Sequence, residues 1–289
     1  MTECNICPRK CNIDRSEKTG ACGVGSTLKI ARAAAHFWEE PCISGYGGSG
    51  TVFFSGCNMK CVFCQNREIS TDGFGKEITV DRLKEIYHEL IFEGVHNINL
   101  VTPTHYSEKI LESLNSPLPV PVVYNSSGYE NVETLRKFED KIQIYLPDMK
   151  YANSALAKKY SAAPDYPETA KDAIREMFRQ VGGFQLDDEG IMEKGVIIRH
   201  LMLPGQLENT LDVIDWVADE FHDNVIFSLM SQYTPSEKCI FPELRQTVSE
   251  EEYNKAVDYL YLAGIENGYV QDFSSAKKEY TPPFDLSGV

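Results

Sequence analysis

Residues 51–66 read TVFFSGCNMKCVFCQN, a short apolar run followed at once by three cysteines within eight positions. The run is rich in β-branched and aromatic residues, which predicts a buried strand. Cys57, Cys61 and Cys64 follow with the spacing C-x3-C-x2-C, which suits a loop wrapped around one soft metal centre. Structural zinc sites need a fourth ligand, and no second Cys or His pair follows nearby. Three thiolates suit an iron-sulfur cubane that keeps one iron open for chemistry.

Short apolar runs alternate with amphipathic segments along most of the chain. The predicted strands are 50–55, 96–102, 120–125, 142–147, 195–203 and 224–230. The predicted helices are 79–94, 105–115, 131–140, 166–181, 208–222 and 249–263. Thr79 and Ser249 are candidate N-caps. This α/β alternation predicts a parallel sheet, which either closes into an incomplete barrel or opens into a doubly wound sheet, with the site at the carboxyl ends of the strands.

The composition changes at both ends of this alternating region. Residues 1–45 are rich in cysteine and glycine and contain a candidate strand at 28–35, which predicts an N-terminal extension packed on the core. Residues 46–270 hold the alternating strands and helices. The tail 271–289 is polar and interrupted by proline, which predicts coil.

The overall composition is typical of a soluble globular protein, with 289 residues, 42% hydrophobic and 25% charged. No apolar run approaches the roughly 18 to 20 residues that a membrane span needs. Lys and Arg number 28 against 43 Asp and Glu, and the net charge of −15 disfavours nucleic acid as the main partner. The N-terminal stretch MTECNICPRK lacks the apolar core of a signal peptide, which predicts a cytoplasmic protein with reduced thiols.

A second group of cysteines lies within CNICPRKCNIDRSEKTGACGVG, at residues 4–25. Its members have the spacing C-x2-C-x3-C-x10-C and are Cys4, Cys7, Cys11 and Cys22. Four thiolates satisfy a closed zinc site, a second iron-sulfur cluster suits the same ligands, and free thiols are the third interpretation. Cys42 and Cys239 stand alone and are predicted to be small buried residues.

The three-cysteine loop resembles the signature of the radical S-adenosylmethionine (SAM) superfamily, C-x3-C-x2-C with an aromatic residue, here Phe63, before the last cysteine. The resemblance implies a partial (β/α)6 TIM-like barrel. It also implies a 4Fe-4S cluster on Cys57, Cys61 and Cys64, whose open iron binds SAM. In that superfamily one electron cleaves SAM to methionine and a 5′-deoxyadenosyl radical, so the cofactor carries the difficult chemistry.

Longer stretches resemble the pyruvate formate-lyase activating enzymes, in an uncharacterised PflX-type branch. They are SGCNMKCVFCQN at 55–66, DMKY at 148–151 and IIRHLMLPG at 197–205. The resemblance implies an anaerobic oxidoreductase that takes a hydrogen atom from a glycine of a glycyl radical enzyme, with a flavodoxin or ferredoxin as reductant. Radical modification of another peptide, an RNA or a small molecule is the alternative reaction. A metal-binding electron-transfer protein is the alternative outside enzymes.

The same resemblance, with the polar residues at strand ends, gives a set of cofactor-binding candidates. Those that match family positions are Phe63, Gln65, Asn66, Asp148, Lys150, Arg199 and His200. Those that follow predicted strands are Thr102, Thr104, Asn125, Ser126, Ser127 and Gln232. The alternatives are a satisfied core histidine for His200 and an ion pair at the rim for Asp148 and Lys150. Phe63 and Gln65 are expected to place backbone along the adenine. Asp148 and Lys150 share one face of an extended chain, and Arg199 is expected to pair with the cofactor carboxylate.

Two positions depart from the family pattern. The superfamily often has a GGE-like segment that receives the methionine amino group, whereas residues 101–106 read VTPTHY and offer no carboxylate. Activating enzymes commonly have a His in LLPYH, whereas this chain has Gln232 and Tyr233. These departures keep the alternative reactions open.

Overall fold

The computed structural model describes residues 3–235, 239–273 and 281–289. The strands are β1 (Leu28–His36), β2 (Ser49–Phe54), β3 (Lys76–Ile78), β4 (Ile98–Val101), β5 (Val122–Ser126), β6 (Ile144–Pro147), β7 (Gln185–Leu186), β8 (Met192–Leu201), β9 (Ile226–Met230) and β10 (Gly268–Val270). The helices are α1 (Pro41–Ser44), α2 (Arg67–Ser70), α3 (Val80–Phe92), α4 (Ser107–Ser113), α5 (Val132–Leu135), α6 (Ser154–Ser161), α7 (Tyr166–Val181), α8 (Leu207–Phe221) and α9 (Glu250–Leu262).

A single sheet runs through the molecule in the order β10-β9-β8-β6-β5-β4-β2-β1-β3, with β7 beside β8. Strands β2, β4, β5, β6, β8 and β9 pair in parallel and correspond to the six predicted strands. Within the described ranges no pairing joins β3 to β10, so the sheet stays open. The fold is therefore the predicted partial (β/α)6 barrel.

The helix caps explain where two of the predicted helices begin. The Thr79 hydroxyl accepts the backbone N–H of Arg82 at 3.1 Å, and the Ser249 hydroxyl accepts that of Glu252 at 3.2 Å. Both predicted N-caps are confirmed, since each satisfies a backbone donor that the helix itself leaves free.

Helices α5 and α6 differ from the prediction, and the four-residue helices α1 and α2 were not predicted either. The predicted helix 131–140 is interrupted: α5 ends at Leu135, and a 3-10 turn covers Arg136–Phe138. Helix α6 was not predicted. It begins after Asn153, whose side chain accepts the backbone N–H groups of Ala155 and Leu156. Its apolar face is short, and so it lacks the long period that identifies a helix in the sequence.

The lower part of the barrel is filled by the segment that links β1 to β2. Cys42 and Ile43 of α1 pack against inward-facing residues of the parallel strands, among them Val123, Ile144 and Ile197. Cys42 is 2% exposed and Cys239 is 3% exposed, which confirms both as buried residues. We call Cys42 and Ile43 the plug. Because the plug fills one end of the barrel, the carboxyl ends of the strands form its accessible end.

Strand β1 and residues 281–289 both lie against the barrel sheet. The candidate strand at 28–35 is β1, which pairs antiparallel with β2. Ala33 N–H donates to Ser287 O at 2.8 Å, and residues 281–289 contain no helix or strand. The remaining part of the predicted coil, 274–280, lies outside the described residues, and the domain division at 45 and 270 stays a prediction. None of the described helices combines the length and apolarity that a membrane span requires.

Candidate functional site

The three-cysteine loop connects β2 to α2 at the carboxyl end of the sheet. Gly56 has φ +88°, and a Cβ there would lie 2.9 Å from Val24 Cγ1 and 3.0 Å from Cys22 O. Only glycine fits this backbone conformation without displacing the extension. The N–H of Cys57 donates to Cys22 O at 3.1 Å, so the extension holds the first cysteine of the loop directly.

All three sulfur atoms accept hydrogen bonds from nearby donors. Met59 N–H donates to Cys57 Sγ at 3.4 Å, Ser161 Oγ to Cys61 Sγ at 3.0 Å, and Ser70 Oγ to Cys64 Sγ at 3.3 Å. Burial raises the pKa of each of the three thiols. A raised pKa favours the neutral thiol, whereas a bound iron cation favours the thiolate because it stabilises the negative charge. Soft thiolates with donors already aimed at sulfur fit an iron-sulfur cluster.

The cysteines line a cavity of about 230 Å³ at the open end of the barrel. The cofactor-binding candidates that line the same cavity are Phe63, Gln65, Asn66, Thr102, Asn125, Ser126, Ser127, Asp148, Lys150, Arg199 and Gln232. They come from distant parts of the sequence and converge because parallel strands bring their carboxyl ends to one edge. Their contacts with a cofactor stay predictions.

Asp148, Lys150 and Arg199 form a largely buried charged group in the cavity wall. Arg199 Nε donates to Asp148 Oδ1 at 3.0 Å, and Lys150 Nζ donates to the other carboxylate oxygen. Burial alone would raise the pKa of Asp148, but the charges of Lys150 and Arg199 outweigh it and lower that pKa. Asp148 is therefore an ionised acceptor at neutral pH.

Two acidic residues of the extension, Glu39 and Glu40, complete this group. Arg199 donates from Nη1 to Glu39 Oε2 at 3.0 Å and from Nη2 to Asn125 Oδ1 at 2.8 Å, while Glu40 Oε2 lies 3.9 Å from Nη1. Their side chains are 9% and 7% exposed. Burial raises the pKa of Glu39, and it raises that of Glu40 to about 7.

These glutamates were not among the sequence candidates. They lie in FWEEPC, at 37–42, before the recognisable barrel and outside any periodic pattern. Two adjacent carboxylates beside apolar residues were the only sequence signal.

Arg199 uses three of its five N–H donors on Asp148, Glu39 and Asn125, whereas Lys150 makes one such bond among the described residues.

Two candidates lie outside the cavity lining. His200 follows Arg199 on β8 and so faces the opposite side of the sheet. Its Nδ1 is 2.6 Å from Met149 O and its Nε2 is 3.0 Å from Thr210 Oγ1, so both ring nitrogens have partners. Burial lowers the pKa of His200 to about 4. Thr104 is 1% exposed and donates to Glu130 Oε1 at 2.6 Å.

Glu130 is a buried acid that the sequence did not single out. Its Oε2 accepts from Tyr124 at 3.2 Å, in addition to the bond from Thr104. Burial raises the pKa of Glu130 to about 7. It holds the turn after β4 against β5, and Thr102, which lines the cavity, lies at the start of that turn with φ +60°.

Phe63, Gln65 and Gln232 form the wall nearest the end of β9. The Phe63 ring packs edge-on against the rings of Tyr160 and Tyr233, at centroid distances of 6.5 and 6.3 Å. Gln65 Nε2 donates to Gln232 O at 2.9 Å. The cysteine loop is thus joined to the last barrel strand by a side chain that itself lines the cavity.

The N-terminal cysteines lie beside the three-cysteine loop. All four thiols are free, and Ala21 N–H donates to Cys11 Sγ at 3.3 Å. Burial raises the pKa of Cys7 to about 12. Arg9 Nε donates to Asn58 O at 2.8 Å, which ties this segment to the loop. Across residues 3–235, 239–273 and 281–289, no three Cys, His, Asp or Glu side chains form a ready single-ion site.

Comparison with known families agrees with this geometry. The sequence model of the Radical SAM superfamily matches residues 51–217, more than half of the chain. The chain belongs to the radical SAM superfamily and is a radical SAM enzyme. Membership implies a 4Fe-4S cluster and SAM as cofactors, and a reductant for the cluster. The residues on the cavity wall fit both groups, since they combine three thiols with charged and amide side chains.

Individual relatives are more distant. The uncharacterised protein MJ0674 of Methanocaldococcus jannaschii is 29% identical over 268 residues, which cover 88% of this chain and 73% of that protein. A mutant of spore photoproduct lyase superposes with a TM-score of 0.51 at 13% identity, over 76% of this chain and 74% of the lyase. SuiB of Streptococcus suis, solved with S-adenosylmethionine, superposes with a TM-score of 0.49 at 13% identity. The match covers 76% of this chain and 49% of SuiB.

Proposed function

We propose that this enzyme activates a glycyl radical enzyme, as pyruvate formate-lyase activating enzymes do. The observation that carries the proposal is that Asp148, Lys150 and Arg199 line one cavity with Cys57, Cys61 and Cys64. These residues belong to the stretches that resemble the activating enzymes. When bound, the cluster and SAM supply the 5′-deoxyadenosyl radical that removes a hydrogen atom from a glycine of the partner.

The chain's own residues position the cofactor. Lys150 has N–H donors in addition to the one bonded to Asp148, so we propose that it donates a hydrogen bond to the methionine carboxylate of SAM. Asp148, held ionised by two cations, accepts a hydrogen bond from the methionine amino group in place of the missing GGE carboxylate. Arg199 is already bonded by three partners, and it chiefly orients Asp148. Gln65 and Gln232 close the adenine side of the cavity.

The test is to incubate the reduced, reconstituted enzyme with SAM and pyruvate formate-lyase without oxygen. A glycyl radical doublet in the electron paramagnetic resonance spectrum is the expected result. Asp148→Asn is the matched variant, because it keeps the shape of the side chain and loses the charge. Formation of 5′-deoxyadenosine with no doublet, across several glycyl radical enzymes, contradicts the assigned partner while leaving SAM cleavage intact.

A second candidate is the radical modification of another peptide, an RNA or a small molecule. The observation that favours it is Gln232, which lines the cavity at the end of β9 where activating enzymes commonly have a His. Mass spectrometry of products from candidate peptides, RNAs and small molecules separates this reaction from glycine activation.

We also propose that Cys4, Cys7, Cys11 and Cys22 bind a metal, either zinc or a second iron-sulfur cluster. The N–H to sulfur bond at Cys11 and the irregular backbone of the extension support a site that orders this segment. Metal analysis of a variant with Cys57, Cys61 and Cys64 replaced by Ala distinguishes the two. Retained zinc identifies a zinc site, and retained iron and sulfide identify a second cluster. A variant that retains neither zinc nor iron would contradict the proposed metal site.

We propose an anaerobic cytoplasmic setting, in which thiols stay reduced, and a flavodoxin or ferredoxin as electron donor. The absence of oxygen suits an open iron.

A further inference from the structure

A groove of about 240 Å³ lies on the outer surface beside the cysteine loop, where that loop, α6 and the extension meet. Its lining includes four cationic side chains, Arg9, Lys60, Lys158 and Lys159, and no Asp or Glu among the described residues. The whole chain has 43 acidic against 28 basic residues. A groove lined by four cations and no acid is therefore opposite in charge to the rest of the molecule.

Part of this charge has a local explanation and part does not. Lys158 and Lys159 lie in the last turn of α6, where cations stabilise the helix dipole. Lys159 also donates to Glu243, which offsets its charge. Lys60 lies in the cysteine loop, is exposed, and has φ +49°. In the described ranges Lys159 is paired with Glu243, whereas neither Lys60 nor Lys158 forms an ion pair.

The groove is directly connected to the cluster ligands. Ser161 belongs to the groove wall, and its hydroxyl donates to Cys61 Sγ at 3.0 Å. Lys60 is the neighbour of Cys61 in the chain, and Val62 N–H donates to Tyr160 O at 2.9 Å. Ser161 therefore links the groove wall to the Cys61 sulfur through one hydrogen bond.

We propose that this groove is the docking site for a small acidic one-electron carrier of the 2Fe-2S ferredoxin type. The proposal rests on the proposed function, which needs an electron donor. The net charge of −15 repels an acidic carrier from most of the surface, so local cations select this face. One electron leaves the reduced carrier, which is oxidised from 2Fe-2S(1+) to 2Fe-2S(2+), and reduces the 4Fe-4S cluster from 2+ to 1+. No atom is transferred.

The first experiment measures the Kd of an acidic plant-type 2Fe-2S ferredoxin for the full chain at low ionic strength. The double variant Lys60→Glu with Lys158→Glu is expected to bind at least about tenfold more weakly than the unmodified chain, because charge reversal repels the carrier. Lys60→Arg with Lys158→Arg keeps the charge and is expected to bind as the unmodified chain does. Reduction by dithionite, which needs no docking surface, is expected to be unchanged in all of them.

The matched control is Lys137→Glu with Lys18→Glu. Both lysines are exposed, neither lines the groove, and the change in net charge is the same. Weakening by the groove variant alone supports the docking site. Equal weakening by both pairs, or no binding by the unmodified chain, overturns it. SAM cleavage driven by dithionite is measured in parallel, so a failed docking site is distinguishable from a failed enzymatic function.

A second measurement uses the unmodified chain, so it does not depend on the folding of a variant. A carbodiimide joins lysine amines to carboxylates that lie in contact, and mass spectrometry locates the linked residues. Links from Lys60 or Lys158 to the ferredoxin are expected. Links confined to lysines outside the groove contradict the proposal.

Discussion

Arg199 holds together the charged wall of the cavity. Its guanidinium contacts Asp148 and Glu39 at 3.0 Å each and Asn125 at 2.8 Å, and burial makes each of these contacts strong. Burial also makes the group costly to break, because loss of Arg199 would leave Glu39 without its cation and Asp148 with Lys150 as its remaining cation. The side chain thus holds Asp148, Glu39 and Asn125 together in the cavity wall.

Arg199→Met is expected to lower the free energy of unfolding by about 3 to 5 kcal/mol, since it leaves Glu39 buried without its cation and Asp148 with Lys150 as its remaining cation. Arg199→Lys keeps the positive charge but loses the planar fork, so its loss is expected to be smaller. Urea denaturation of the two variants measures the difference. Equal losses would show that the charge of Arg199 contributes nothing to the site.

Glu130 gives the stability a pH dependence of defined sign. Its pKa is about 7 in the folded chain against 4.5 unfolded, so the folded state binds the extra proton between these values. The stabilisation is fully present below pH 4.5 and is lost as the pH rises through 7. Glu130→Gln removes this dependence and keeps the shape of the side chain.

As the pH rises from 5 to 8, the free energy of unfolding of the unmodified chain is therefore expected to fall by about 2 to 3 kcal/mol relative to that of Glu130→Gln. Denaturation of both proteins at the two pH values measures it, and the other titrating groups cancel in the comparison. A constant difference across this range would mean that Glu130 stays ionised in the folded state.

The sequence identified the residues that a motif or a strand end marks, and missed those that tertiary contact creates. Asp148 and Lys150 could be predicted because they match the D-x-K that the family resemblance implies near the cofactor, and because their spacing places both on one face of an extended segment. Glu39 reaches Arg199 across 160 positions of sequence, and no local pattern encodes that contact. His200 matches a family stretch, yet strand alternation turns it toward Thr210.

At the scale of elements, the connection between β2 and α2 is set by Gly56. The close approach of Val24 and Cys22 leaves no room for a side chain, and the positive φ disfavours one. The same approach brings Cys22 O to the N–H of Cys57. The position of the first cysteine thus depends on the extension.

Gly56→Ala is expected to destabilise the chain by more than Gly73→Ala. Gly73 also has a positive φ, +72°, but a Cβ there meets nothing within 4 Å, so its variant carries only backbone strain of roughly 1 to 2 kcal/mol. Thermal melting and iron content after reconstitution are the measurements. Equal melting temperatures and equal iron in the two variants would contradict a link between the extension and Cys57.

The elements were predictable where a period is long enough to read. Helix α7 falls at 166–181 as predicted, since it combines a proline near its start with a sustained apolar face. The helix predicted at 131–140 is interrupted, and the eight residues of α6 were missed, because short segments are decided by caps and packing. Caps such as Asn153 are visible in the sequence only after the helix is known.

At the scale of the whole molecule, the barrel is closed below and open above. The plug of Cys42 and Ile43 fills the lumen, and the cavity with the cysteine loop lies at the carboxyl ends of the strands. Six parallel strands could be predicted from their alternation with helices. The plug could not, because it belongs to a four-residue helix stabilised by contacts with residues far away in sequence.

We expect Cys57, Cys61 and Cys64 to hold the cluster that cleaves SAM. The most direct test is to purify the chain anaerobically, reconstitute iron and sulfide, reduce with dithionite, and assay methionine and 5′-deoxyadenosine from SAM. Equal amounts of the two products are expected from the unmodified chain, and none from Cys61→Ala, which loses a cluster ligand. Cleavage that persists in Cys61→Ala, or no cleavage by an unmodified chain that holds its cluster, would contradict the claim.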